Sequence, residues 1–134
     1  MTLTESGIAL AIAATTLAIA TPSVLRSRDA YIINSAAHDV ATRLYAARVQ
    51  AITRNQDCRF RVTSTTNYVV ECDSGSWNVV ENADMPRGLT ITANARPEFH
   101  RRGNVSPTGT IVLWDGTGRV KRVVVNVNGR VRIQ

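Results

Sequence analysis

The sequence predicts an α+β chain in which one long N-terminal helix, its first half apolar enough to span a membrane, is followed by a mainly antiparallel β domain packed on its second half. Three observations carry that prediction. Residues 6–25 hold no charged side chain, the apolar positions from Ala30 onward recur at helical spacing, and after Asn55 the period drops to two. A chain of 134 residues has room for one small domain beside the apolar segment. That excludes a two-domain enzyme with separate cofactor and substrate domains.

Twenty helical residues rise about 30 Å, the thickness of a bilayer's hydrocarbon core, so residues 1–28 read as a hydrophobic transmembrane and assembly segment. Residues 29–134 read as the globular domain. Ile33, Ala37, Val40, Leu44, Ala47 and Ala51 follow one another at spacings of 4, 3, 4, 3 and 4, a single helical face, while Asp39, Arg43, Arg48 and Arg54 point elsewhere. One helix from about residue 2 to about residue 54 is expected, with Asn55 as its C-cap. Pro22 is expected to kink it or to split it in two.

Beyond Asn55 the segments 59–62, 68–71, 77–80, 89–92, 111–114, 121–127 and 130–133 read as strands. Ser74-Gly75, Asp115-Gly116 and Asn128-Gly129 punctuate them, and the last suits the positive φ angles of a type I′ hairpin turn. These strands form one antiparallel sheet or two small ones on the helix's apolar face. Cys58 and Cys72 flank the first two and read as a disulfide clipping them together in an oxidising compartment. In the chain-entropy model such a loop adds about 3 kcal/mol.

The basic residues after the apolar run, Arg26 and Arg28, would by the positive-inside rule leave the chain in the cytoplasm, against the disulfide. A basic leader ahead of Met1, later removed, reconciles the two. Glu5 is an ionisable group at the mouth of the uncharged run, and such a group is a functional-site candidate by default.

No catalytic constellation emerges. His38 lies on the helix, His100 lies in an Arg-rich turn, and no Ser or Cys has a nucleophile's context. The two His and two Cys do not approach a zinc spacing, so neither a metal nor a cofactor is expected. Asp115-Gly116-Thr117-Gly118 lacks the further oxygens of a calcium loop and reads as a tight turn. Trp77 and Trp114 read as core or sheet-face residues.

Charge is more informative. The net charge is +6, and Lys121 is the single Lys among 16 basic residues, so the basicity is guanidinium, suited to phosphate or carboxylate. Alternation along the last strand puts Arg130 and Arg132 on one face and Val131 and Ile133 on the other. Arg101, Arg102, Arg119 and Arg122 extend this patch if their strands lie alongside. The plainer reading is a solvated edge guarded by charge.

The opening Met1-Thr2-Leu3-Thr4-Glu5, the apolar run behind it and Pro22 closing that run resemble the mature N-terminus of type IV pilins and type II secretion pseudopilins. That family usually begins with Phe where this chain has Met1. The resemblance implies that a prepilin peptidase cuts a short basic leader and methylates the new N-terminus. It also implies that Glu5 attracts the terminal amine of a neighbouring subunit and that Pro22 marks where the helix bends or melts in the filament. The segments Leu44 to Gln56, Phe99-His100-Arg101-Arg102-Gly103 and Gly129-Arg130-Val131-Arg132 are similar to the GspH/FimT group of minor pilins and pseudopilins. This implies a non-enzymatic filament subunit, anchored once in the inner membrane with a periplasmic domain, whose partners are other pilin or pseudopilin subunits. A type IV pilus and a type II secretion pseudopilus both remain open. In the pilus branch the C-terminal arginines are associated with DNA uptake in natural transformation.

Overall fold

The structure, a computed structural model, describes residues 2–134, so the role expected of Met1 lies outside the described residues. The chain divides into two compact units, one ending at Ile32 and one running from Ile33 to Gln134. Helix α1 (Leu3–Arg54) passes through both. Its start is capped reciprocally: the Thr2 N–H donates to Glu5 Oε2 at 2.9 Å, and the Glu5 N–H donates to the Thr2 hydroxyl at 3.4 Å.

Pro22 does not split the helix. A proline leaves the carbonyl four residues back, here that of Ala18, without its usual N–H partner. The Thr21 hydroxyl fills in, reaching the Leu17 and Ala18 carbonyls at 2.9 and 3.4 Å. At the other end Asn55 takes a left-handed φ of 51°. This lets the Gln56 N–H reach Ala51 O at 3.1 Å and the Asn55 N–H reach Ile52 O at 3.4 Å, the paired bonds of a Schellman cap.

Eight strands follow: β1 (Cys58–Ser64), β2 (Asn67–Asp73), β3 (Trp77–Asp84), β4 (Thr90–Ala93), β5 (Glu98–Phe99), β6 (Gly109–Trp114), β7 (Val120–Val125) and β8 (Val131–Ile133). They make two antiparallel sheets, ordered β3-β2-β1-β5 and β4-β6-β7-β8. Cys58 and Cys72 are directly opposed between β1 and β2 and are joined as a disulfide.

The core of the unit from Ile33 onward is the expected helix face, with Ala36 added, against Phe60, Tyr68, Ile91, Phe99, Val105, Ile111, Leu113, Val123 and Val125. Alanine at four of the seven buried helix positions lets the sheets approach α1 closely while larger side chains fill the space from the sheet side. On the first sheet's outer face Glu71 is buried between Arg59 and Arg61, each bonded to it at 2.6 Å. The hydrogen bond from Arg61, opposed by burial and assisted by Arg59, holds the Glu71 carboxyl below the usual carboxylate range.

Three expectations need correction. Strand β5 is absent from the sequence reading because two residues are too few to display a period. The strand expected to reach Val127 ends at Val125, since Asn126 begins the turn. That turn is not type I′. Among the described residues Asn128 is not one of those with positive φ, and only Gly129 is left-handed there, at 77°. The Gly129 N–H bonds Asn126 O at 2.9 Å and the Asn126 N–H bonds Arg130 O at 3.1 Å, a wider turn closed by a glycine bulge. The Asn126 side chain stabilises the wider loop by accepting the Arg130 N–H at 2.8 Å.

Candidate functional site

The last hairpin, β7 to β8, forms the edge of the second sheet. Its register pairs Val124 with Arg132 and Val123 with Ile133, and Arg122 bonds Gln134 through both backbone groups. Cross-strand partners share a face, so Arg122, Val124 and Arg132 stand on the outer face and Val123 and Val125 point into the core. Arg130 precedes β8 at the end of the turn and is exposed, as Arg132 is. Partners on β6 continue that face through Val112, opposite Arg122, and Trp114, opposite Val120. Trp114 is therefore a sheet-face residue, and Trp77 is another, lying under the Arg59 guanidinium at 4.0 Å.

The remaining arginines divide. Arg101 and Arg102 are exposed, but they sit in a turn after β5 and not on a strand beside β8, so the expected strand-by-strand extension does not hold for them. The Arg101 guanidinium lies 3.8 Å from Asp57. Arg119 precedes β7 and its guanidinium lies 3.7 Å from Asp115. Burial pushes the Asp115 carboxyl up, yet the hydrogen bonds from Thr117 and Arg119 outweigh it and hold that carboxyl below the usual range.

What links the Arg101–Gly103 turn to the last hairpin is a residue that the sequence reading placed only as pointing away from the helix core. Arg48 reaches from α1 to donate from Nε to Gly103 O at 3.1 Å. Its side chain then runs beneath Gly129, where a Cβ would come within 2.6 Å of both Arg48 Nε and Gly103 O. Both glycines are left-handed, and Gly103 also faces Ile52 on the helix. The three segments that stand out in the sequence, Leu44 to Gln56, Phe99 to Gly103 and Gly129 to Arg132, thus meet at one place.

These same segments fall within residues 36–129, or run just beyond them, and it is residues 36–129 that match the family model described as type II transport protein GspH. The chain belongs to the GspH family. Among solved structures the GspH-type fold is shared with the minor pseudopilin EpsH of the Vibrio cholerae type 2 secretion system, with 18% identity and a TM-score of 0.66 over 75% of this chain and 94% of that one. It is also shared with the type IV minor pilin FimU of Pseudomonas aeruginosa, with 18% identity and a TM-score of 0.63 over 75% of this chain and 87% of that one. Among curated proteins none matches this chain in sequence. Membership makes this GspH-family chain a minor pilin or pseudopilin, a class of structural subunits, and its N-terminal helix fits a membrane anchor.

One further grouping has no counterpart in the sequence reading. Asp57, Glu98 and His100 each present one ligand atom, all within 4.8 Å of one another. No His and Cys spacing marks it, because two of its three members are carboxylates, Asp57 and Glu98, far apart in the chain.

Proposed function

We propose that this GspH-family protein is a minor pilin of a type IV pilus. It sits in the inner membrane through residues 1–28, with residues 29–134 in the periplasm, before assembly into a surface filament. The observation that carries the reading is the surface of its first unit: Leu3, Ile8, Leu10, Ile12, Leu17, Ile19, Val24 and Leu25 are all more than half exposed. Soluble monomers rarely expose so continuous an apolar surface, and lipid before assembly and neighbouring helices afterwards would cover it. The disulfide supports the periplasmic side. In this reading a prepilin peptidase removes a leader and methylates the new N-terminus, and Glu5 and Pro22 act in assembly.

The binding role proposed for the domain is DNA capture through Arg130 and Arg132, joined by Arg122 on the same face and by Arg101 and Arg102 on the turn that Arg48 holds against the hairpin; Arg119 contributes less because Asp115 faces it. Phosphate contacts carry a salt signature, with a slope near −0.9 per neutralised phosphate on duplex DNA. Arg130→Ala with Arg132→Ala should lower both affinity and salt slope, the latter by about 2, with the melting temperature nearly unchanged because both side chains are exposed. Absence of DNA binding by the wild-type protein at low salt, or equal binding by the double variant, removes the DNA role and leaves the filament subunit. A secretion pseudopilus is the second reading, favoured by the description of the matched family as type II transport protein.

A further inference from the structure

After β5 the chain turns tightly, with the His100 N–H donating to Asn104 O at 2.9 Å and the Gly103 N–H donating to His100 O at 2.8 Å. The turn lays the His100 ring with Nε2 3.1 Å from Ser106 O. A carbonyl oxygen only accepts, so Nε2 carries the ring proton and the lone pair of the neutral imidazole is on Nδ1. Nδ1 faces Asp57 Oδ1 at 3.6 Å and Glu98 Oε1 at 3.9 Å. Three electron-pair donors thus converge, at separations too long for hydrogen bonds between them. Arg101 approaches Asp57 with its backbone N–H at 3.2 Å and its guanidinium at 3.8 Å, which offsets one carboxylate charge and leaves the other.

Those separations suit a bound ion. A tetrahedral zinc holds nitrogen and oxygen ligands about 2.0–2.2 Å away, which places the ligand atoms roughly 3.3–3.5 Å from one another. The observed 3.6 and 3.9 Å from Nδ1 lie within about half an ångström of that range, and all three ligand atoms lie within 4.8 Å of one another, so side-chain rotation closes the site. A ligating histidine almost always donates its other ring N–H to a carbonyl or carboxylate, as His100 does to Ser106. The three side chains are 26–29% exposed, so water can reach a fourth position. Calcium fits poorly, since it takes 6–8 oxygen ligands and the trio offers two carboxylates and an imidazole.

We propose that Asp57, Glu98 and His100 bind one zinc-class divalent cation, with water as the fourth ligand. The ion joins the connection after α1 to β5 and to the base of the turn carrying Arg101 and Arg102. The test uses the full chain in detergent, without a histidine tag, stripped with a chelator and titrated with zinc chloride against a chromogenic zinc chelator. One equivalent is expected to bind. His100→Ala and Asp57→Asn should each weaken binding by about tenfold or more, given that even outer-shell changes cost about 10–100-fold. His38→Ala, distant on α1, should bind as wild type, and calcium chloride in large excess should not displace zinc. Glu98→Gln preserves side-chain shape, so its loss of affinity with an unchanged circular dichroism spectrum separates ligation from misfolding. Failure of the wild type to take up zinc, undiminished binding by His100→Ala, or equal loss in His38→Ala overturns the site.

Discussion

Replacing Gly129 with alanine tests whether the three motif segments are locked together as the geometry indicates. The added Cβ would lie 2.6 Å from Arg48 Nε, 2.6 Å from Gly103 O and 2.9 Å from Arg48 Cδ, while the residue keeps a φ of +77°. The left-handed backbone alone costs about 1–2 kcal/mol in a non-glycine residue. Expelling Arg48 forfeits its hydrogen bond to Gly103, and a bond from a charged donor contributes about 1.5–3 kcal/mol. The total is roughly 2.5–5 kcal/mol. Gly116 provides the control, because its φ is +80° and nothing lies within 4 Å of the point a Cβ would occupy, so Gly116→Ala carries the backbone cost alone. A domain of this size loses about 4–8 °C in Tm per kcal/mol. Thermal melts of the full chain in detergent, followed by tryptophan fluorescence, should therefore place Gly129→Ala about 6–24 °C below Gly116→Ala. Arg48→Ala should be destabilising alone and less than additive with Gly129→Ala, because two of the three close atoms belong to Arg48. Melting of the two glycine variants within about 2 °C of each other would refute the close approach and, with it, the convergence of the segments.

Glu5→Gln preserves an acceptor for the Thr2 N–H but removes the charge, whereas Glu5→Ala removes both; if charge draws in a neighbour's amine, both variants are excluded from filaments, and normal incorporation of Glu5→Gln reduces Glu5 to a helix cap. The pair Cys58→Ser with Cys72→Ser should lose about 3 kcal/mol of stability, read from denaturant melts of oxidised wild type against the variant. Glu71 has a folded pKa below its unfolded value, so its contribution is present above about pH 4.3 and is lost as pH falls through the folded value. Glu71→Gln should accordingly melt lower at pH 7, where Arg59 and Arg61 lose their counter-charge, and its curve should converge on the wild type's in acid; a constant gap across pH would contradict the ion cluster.

The helix is legible in the sequence because its signals are local and redundant. The heptad-like face from Ile33 to Ala51 survives as buried positions, and the end at Asn55 follows from a residue type that tolerates left-handed φ. The cap at the start is spelled out too, in the Thr2-x-x-Glu5 spacing of a capping box. The last hairpin misleads because Asn-Gly favours type I′ on its own. Asn126, two residues earlier, supplies a side-chain acceptor that selects the wider loop. Arg48 and the trio of Asp57, Glu98 and His100 are opaque for a different reason. Their meaning lies in distances between segments far apart in the chain, and no period or motif encodes that.

The placement of Arg48 explains how arginines can be displayed without being loose. An arginine side chain and its turn lose conformational freedom on meeting a ligand, and fixing one backbone residue costs roughly 1–2 kcal/mol. In the proposed binding role that cost is met during folding. The Gly103 carbonyl and the Gly129 backbone are both held against a guanidinium anchored on a buried-face helix, so the Arg101–Arg102 turn and the Arg130 end of the hairpin are positioned beforehand. Glycine is needed at 129 because a Cβ there would lie 2.6 Å from Arg48 and from Gly103 O, and at 103 chiefly because its φ of +85° is left-handed. Like charges so arranged repel one another only weakly at the surface, since charges about 7 Å apart in water interact by well under 1 kcal/mol and salt screens them further. In the proposed polyanion-binding role, removing Arg48 should therefore weaken binding through disorder of the exposed arginines and leave the number of phosphates neutralised, and so the salt slope, nearly the same, whereas removing Arg130 and Arg132 should lower both. A fall in slope with Arg48→Ala would mean that Arg48 itself meets the phosphate and that the hairpin is not its reason for being there.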